Sequence, residues 1–167
     1  NRMSSCYGRE AGLLLLEGAS VSEIDQTLFD FGMPMGMFSM LDMAGIDIGV
    51  MARKNMMVGS YDDKAFLVHD ALVASGKKGQ KTGSGFYIHD PATKSKTENP
   101  EVEELAVKIA EEHGIKRREI NAQEIEDRCI YALINEGFKI VEEGIALRAS
   151  DVDVVFAHGF GFPRYRG

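Results

Sequence analysis

The stretches "FGMPMG", Phe31 to Gly36, and "FGFPRYRG", Phe160 to Gly167, decide how this chain is read, because both set phenylalanine, glycine and proline in the same order. Glycine accepts the left-handed backbone that closes a helix, and proline cannot continue one. Each stretch therefore reads as a helix-ending turn that redirects the chain. The likeness extends upstream: setting Arg2 against Arg128 also matches Glu10 with Glu136, Glu17 with Glu143 and Gly18 with Gly144. The register then slips by two residues, aligning Ser22 to Asp25 with Ser150 to Asp153, and by one more, aligning Pro34 with Pro163. Both slips fall at helix boundaries, where insertions are tolerated. Two capped amphipathic helices resemble each other by chance, but so many matches in one order imply two related helical units. The first copy continues well past Pro34, whereas Pro163 is followed only by Arg164 to Gly167, so the second is expected to be incomplete.

Helical patterns fill the rest of the chain. Met3 to Gly18 places Cys6, Leu13, Leu14 and Leu16 among helix-tolerant neighbours and predicts a helix closed by Gly18. A second helix starts in "SVSEID", with Ser22 as its cap and Asp25 three residues on, and stops at Gly32. From Met33 to Met57 the chain holds eight of its nine methionines with no strand-like alternation, so further short helices are expected. "DDKAFLVHDALVASG" predicts a helix through Phe66, His69 and Leu72 that ends at Gly76. "KKGQKTGSGFYIHDPATKSKTENP" is a loop by composition and marks the boundary between units, with "GFYIH" as its one short extended piece. Asn99 and Pro100 then open a helix that runs to Gly114. Asn121 and Glu124 open a long helix with Ile130, Leu133, Ile134, Val141 and Ile145 on one stripe. Ser150 and Asp153 repeat the expected cap of Ser22 and Asp25. The expected fold is all-α with two related helical units: residues 1–96 form the first, and residues 97–167 a linker helix and a partial second copy.

Composition limits the function classes. The 167 residues are 44% hydrophobic and 27% charged, enough for one globular domain or two small ones. A formal charge of -7 has the wrong sign for phosphate backbones or an anionic membrane surface, so no nucleic acid partner is expected. The apolar run Leu13 to Leu16 is far shorter than the roughly 20 residues of a membrane helix, and Glu10 and Glu17 flank it, so neither a membrane span nor a signal peptide is expected. Cys6 and Cys129 lack C-x-x-C spacing; they read as reduced and intracellular, with one long-range bridge left open. A start at Asn1 and a stop on "RYRG" read as a trimmed fragment whose function is shared with residues elsewhere.

No complete catalytic set is written in the chain. "GKKGQKTGSG" is neither a P-loop, which needs Gly-Lys followed at once by Ser or Thr, nor G-x-G-x-x-G. It reads as a structural turn, with electrostatic contact from Lys77, Lys78 or Lys81 to an anionic ligand as the alternative. His69, His89, His113 and His158 are scattered without metal-ligand spacing and read as surface or cap residues, so no metal is expected. No G-x-S-x-G elbow is present. The methionine cluster suits either core filling or a cleft for flexible acyl chains.

Together, "NR" at Asn1, "LLEGAS" at Leu15, "EID" at Glu23, "FGMPMGMFSMLDMAGIDIG" at Phe31 and "GQKTGSGFY" at Gly79 resemble the C-terminal domain of L-3-hydroxyacyl-CoA dehydrogenases. Tyr131 to Gly167 looks like the degenerate second copy of that domain found in multifunctional β-oxidation enzymes. The resemblance implies NAD-dependent oxidation of 3-hydroxyacyl-CoA to 3-ketoacyl-CoA. It also implies a preceding Rossmann domain that carries the NAD site and the catalytic His-Glu pair, so the fragment alone is expected to bind no cofactor and to be inactive. By the same resemblance Asn1 is the catalytic-site amide, able to orient a hydroxyl or a developing oxyanion, although asparagine also serves as an ordinary helix cap. Asp127 stands at the matching position of the second copy, which is then structural. Pro34, Met35, Gly36 and Phe38 match the loop that faces acyl-CoA, and Gly83 and Gly85 match a structural turn. The implied partners are acyl-CoA, the Rossmann domain, and either a homodimer mate or an intramolecular pseudo-dimer. The implied location is intracellular: the bacterial cytoplasm, or alternatively a peroxisome or mitochondrion. A non-catalytic dimerisation or acyl-binding module is the rival reading.

Overall fold

In the computed structural model, residues 2–55 and 63–166 are described. The described helices are α1 (Arg2–Glu17), α2 (Val21–Phe31), α3 (Met37–Ala44), α4 (Ile46–Asn55), α5 (Leu67–Ala74), α6 (Pro100–Glu112), α7 (Ala122–Glu142) and α8 (Ala149–Gly159). Strands β1 (Tyr87–His89) and β2 (Lys96–Glu98) pair antiparallel, and short 3-10 turns occupy Asp63–Phe66 and Gln80–Thr82. The all-α expectation holds. The extended "GFYIH" piece has a partner that the polar composition of "KSKTENP" conceals: β2 is exposed at every residue and is held by its backbone ladder to β1. The chain past residue 96 stays attached to the first unit, since α6 packs on α1 and α5 through Val102, Ala106 and Ile109 before α7 begins.

Helix α1 is the centre of the molecule. Ala11, Leu14 and Leu15 are fully buried, and each leucine contributes roughly 1.5–3 kcal/mol of apolar burial. Gly12 lets the backbone of the 3-10 turn come close: a Cβ there would stand 2.0 Å from the Ala65 carbonyl oxygen. On another side α7 runs antiparallel to α1 and buries Ile125, Cys129, Ile130, Leu133 and Gly137. Of the expected stripe, only Ile130 and Leu133 enter this seam; Ile134 and Ile145 are exposed. The seam follows Ile130, Leu133 and Gly137, one residue in every three or four, and Ile134 falls just off that line.

The repeat is realised as reciprocal contact. Arg2 Nε binds Glu136, and its two terminal nitrogens grip Glu143 at 2.5 and 2.8 Å. Arg128 does the same in reverse: Nε binds Glu10 at 3.1 Å, and the terminal nitrogens grip Glu17 at 2.6 and 3.0 Å. The two turns also meet. A Cβ built on Gly32 would lie 2.8 Å from Pro163 Cγ, and one on Gly161 would lie 2.7 Å from Pro34 Cγ. Both glycines take positive φ, +118° and +72°. Phe31 packs on Phe162 at 5.8 Å, Tyr165 donates to the Phe31 carbonyl at 3.4 Å, and the Arg166 guanidinium lies 4.2 Å from the Phe31 ring centre.

The expected caps are displaced by two residues in both copies. Ser20, in extended backbone, caps α2: its Oγ accepts from Glu23 N at 3.2 Å, and Glu23 Oε2 accepts from Ser20 N at 2.8 Å. In α8 the position is held by Arg148, whose N–H donates to Asp151 Oδ2 at 3.1 Å. Neither Ser22 nor Ser150 is the cap. The physical reason is the capping box that Ser20 closes with Glu23 three residues on, whereas Asp25, three residues after Ser22, is buried with its carboxylate on the start of α3. Asn99 and Asn121 cap α6 and α7 as expected, although the Glu124 carboxylate turns to Arg118.

Candidate functional site

The turn Met33–Gly36 is shaped from below by Asp25. Its carboxylate accepts from Phe38 N at 2.8 Å and Ser39 N at 2.9 Å, the free amides at the start of α3, and also from the Ser39 hydroxyl and from Tyr87 Oη at 3.0 Å. Burial, with the Asp25 charge adding, pushes the Tyr87 phenol well above its ordinary value, so it remains a donor. Gly36 rests directly on this carboxylate: a Cβ there would be 2.2 Å from Asp25 Cγ. The turn is thus fixed by a buried carboxylate on α2, the helix that leads into it.

Above it opens a cavity of about 530 Å³. Pro34, Met35 and Gly36 line it together with Met33, Met37, Met40 and Met43, and with Ser4 and Tyr7 from α1; the opposite wall comes from Leu133 of α7, Phe156 of α8 and Gly161 of the turn that follows α8. The structure therefore brings together three of the four loop residues. Phe38 is fully buried beneath, its ring 4.4 Å from that of Phe86, and supports the turn from behind. Asn1 lies outside the described residues, as do Met56 and Met57 of the methionine cluster. Met33 and Met37 fill the core, while Met43 is mostly exposed at the cavity's edge. Tyr7 was not legible as a site residue; at 4% exposure, its phenol is raised well above its ordinary value by burial, with Cys129 and Asp25 adding.

A second cavity, about 340 Å³, shares Ser4, Met37 and Met40 with the first and extends to α4 and α5. His69 lines it. The expectation of a surface histidine fails here: His69 is 5% exposed, boxed by Phe38, Phe66 and Phe86, and burial and the nearby Arg53 charge lower its pKa to about 3. His113 and His158 are exposed, and His113 closes α6. His89 bonds Asp42 at 2.8 Å.

The glycine-rich loop does cradle an anion, the chain's own Asp42. That fully buried carboxylate accepts from Phe86 N and Tyr87 N, both at 2.9 Å. Two of the three lysines are already paired, Lys77 with Glu101 and Lys81 with Asp47, which holds the Asp47 carboxyl below its usual range. Among the described residues no group of three or more His, Cys, Asp or Glu is placed to hold a metal ion, and no helix is long and apolar enough to cross a membrane.

Comparison with known proteins gives this geometry a family. Over 180 residues the chain is 39% identical to the peroxisomal bifunctional enzyme of Danio rerio and 38% identical to that of Homo sapiens, matching 100% of this chain and 25% of each relative. It is 34% identical over 168 residues to the fatty acid oxidation complex subunit alpha of Shewanella amazonensis, 100% of this chain and 23% of the relative. The chain thus spans about a quarter of the length of these relatives. The dehydrogenase part of multifunctional enzyme 1 from C. elegans superposes with a TM-score of 0.79 at 28% identity, covering 98% of this chain and 36% of that one. Residues 1–89, which hold α1 to β1 and the turn over Asp25, match the 3-hydroxyacyl-CoA dehydrogenase, C-terminal domain, and the chain belongs to that family.

Proposed function

We propose that this chain is the helical, substrate-covering part of an NAD-dependent 3-hydroxyacyl-CoA dehydrogenase, an oxidoreductase that converts 3-hydroxyacyl-CoA to 3-ketoacyl-CoA in fatty-acid β-oxidation within a multifunctional enzyme. The observation that carries the reading is the cavity where Pro34, Met35 and Gly36 face Ser4 and Tyr7 near the start of α1, in a chain of this family. Thioethers adapt to an acyl chain of varying shape. Asn1, the residue before α1 in the sequence, is assigned to hold the substrate hydroxyl through its neutral amide and to steady negative charge as the proton leaves. Among the described residues the cavity wall offers no carboxylate for a ribose and no glycine-rich helix start for a pyrophosphate, so none of them is assigned to NAD, and a Rossmann domain is the proposed holder of both NAD and the proton-accepting histidine.

Residues 1–96 are proposed as the first dehydrogenase C-terminal unit and 97–167 as a linker helix and partial second copy. The reciprocal Arg2 and Arg128 forks support a pseudo-dimer in which the second unit takes the place of a partner subunit. The compartment is proposed to be intracellular, in keeping with relatives named as peroxisomal enzymes or as bacterial fatty acid oxidation subunits.

The test is NADH production from 3-hydroxybutyryl-CoA by the enzyme carrying its Rossmann domain. Asn1→Ala is expected to lower kcat by about 100-fold, and Met35→Ala to raise KM with kcat nearly kept. NADH production by the isolated 167-residue chain, or an unchanged kcat in Asn1→Ala, overturns the assignment.

A further inference from the structure

We infer that the substrate's acyl chain runs from the first cavity into the chamber between α1, α3, α4 and α5, so that the site takes long-chain 3-hydroxyacyl-CoA, with Met40 and Gly49 setting the length it accepts. This rests on the dehydrogenase reading and adds the chain length to it. The two spaces, about 530 and 340 Å³, have Ser4, Met37 and Met40 in common. The partition between them is therefore made of small or unbranched side chains. Met37 is packed into the core at 2% exposure, whereas Met40 is only partly buried and has room to turn. A thioether side chain turns about three bonds at little cost, so Met40 gives way to an alkyl chain where a β-branched residue would block it.

Beyond the partition the wall is stiffer. Ile46, Val50 and Phe66 line the chamber, the first two buried and branched at Cβ, and Gly49 leaves open space where its own Cβ would stand. At roughly 30 Å³ for a group the size of a water molecule, the chamber has room for about ten methylene-sized groups. Its chemistry suits the plain end of a chain: Arg53, the one charged residue among the described lining, is already paired with Asp70 and stacked 4.5 Å from the Phe66 ring centre. The rims carry apolar side chains as well. Met43 at the first cavity and Ile48 at the chamber are 58% and 51% exposed, and a chain lying past both covers them. Each methylene buried in this way tightens binding up to about fourfold. Because the chain end is remote from the reacting carbon, the gain is equal in ground and transition states and lowers KM while leaving kcat alone.

The experiment is steady-state kinetics of the enzyme carrying its Rossmann domain, with 3-hydroxyacyl-CoAs of four, eight, twelve and sixteen carbons. KM is expected to fall by at least about tenfold between the shortest and the longest chain at nearly constant kcat. Gly49→Leu places a branched side chain in the chamber, on a helix where leucine is the better helix former, and does not touch the first cavity. It is expected to raise KM for sixteen carbons relative to four by about tenfold, for which displacing two methylenes is enough. Met40→Ile stiffens the partition and is expected to act in the same direction. Met35→Ala, which lines only the first cavity, is expected to weaken all four lengths alike. A KM that does not fall with chain length, or a Gly49→Leu or Met40→Ile penalty equal at four and sixteen carbons, overturns the proposal while the measured activity leaves the dehydrogenase reading in place. Absence of activity at every length overturns that reading, and this proposal with it.

Discussion

Acidification is expected to destabilise this protein through His69 before its carboxylates respond. In the fold, burial and the Arg53 charge lower the imidazole pKa from 6.5 to about 3. On unfolding it returns to its ordinary value. Below pH 6.5 the unfolded chain therefore takes up a proton that the folded chain refuses until about pH 3, and the stability present above that window is lost as pH falls through it. The slope approaches about 1.4 kcal/mol per pH unit, so the loss between about pH 7 and pH 5 is about 2 kcal/mol, a large share of the stability of a small protein. Asp47, Asp90, Glu124 and Glu143 are held below their ordinary values by their hydrogen-bond partners, Glu124 by Arg118 and Glu143 by Arg2. Their contributions are lost below about pH 4.5, the ordinary glutamate value, which leaves the range from pH 5 to 7 to the histidine. Urea unfolding followed by circular dichroism at pH 7, 6 and 5 checks this. The wild-type midpoint should fall with an unchanged m-value while that of His69→Leu stays nearly level. If the two proteins lose stability in parallel, His69 is not the titrating group and the reasoning fails.

Three further outcomes are expected. Arg128→Met removes the fork to Glu10 and Glu17, whose side chains are only 17% and 25% exposed and keep Arg9 and Arg118 as partners, and should cost about 2 kcal/mol by urea unfolding, between the surface and buried limits for ion pairs. Arg2→Met should cost a similar amount: its partner Glu143 is 48% exposed, but its other partner, Glu136, is only 8% exposed and keeps Lys139 at 3.6 Å; a near-neutral Arg2→Met would contradict the burial argument. Gly161→Ala combines a positive φ with a Cβ 2.7 Å from Pro34 and should cost about 2 kcal/mol, of which a second change, Pro34→Ala, restores the steric part only; full restoration would mean that the backbone there is unstrained. Asp25→Asn sets an amide donor against the N–H groups of Phe38 and Ser39 and should destabilise by about 2 kcal/mol and loosen the Met33–Gly36 turn, seen as faster hydrogen exchange at Phe38; unchanged protection would show that the turn holds itself.

The helices and the repeat were legible because each is written in local signals: glycine at helix ends, asparagine before α6 and α7, and arginine and glutamate at matched positions. What the sequence concealed depends on contacts between distant elements. Ser20 with Glu23 forms the full capping box and Ser22 with Asp25 does not, so that signal was local; what the sequence concealed is that Asp25 is buried and bonds the start of α3. His69 sits on a helix whose pattern says little, and its burial comes from Phe38 and Phe86, elements far from it in sequence. β2 is polar throughout and exists because β1 presents a free edge. Of the candidate site, the turn was visible and the wall opposite was not, since Leu133, Phe156 and Gly161 reach it only through the pseudo-twofold packing.

That packing also shows what the second copy has kept and what it has given up. Arg128, Glu136 and Glu143 repeat Arg2, Glu10 and Glu17 down to which guanidinium nitrogen meets which carboxylate, as a self-complementary surface about a twofold axis requires. On the outer face the likeness ends. Gly8 and Gly12 of α1 admit Met37 and the Ala65 backbone, whereas the matched residues of α7 are Ile134 and Phe138, both exposed. A phenylalanine at the position of Gly12 excludes the backbone approach on which the first unit is built, at 2.0 Å from a Cβ. The seam is therefore retained while the packing that supports the α3 turn is not, which assigns α7 to bracing the first unit's cavity and leaves the methionine-lined site to α1, α2 and α3.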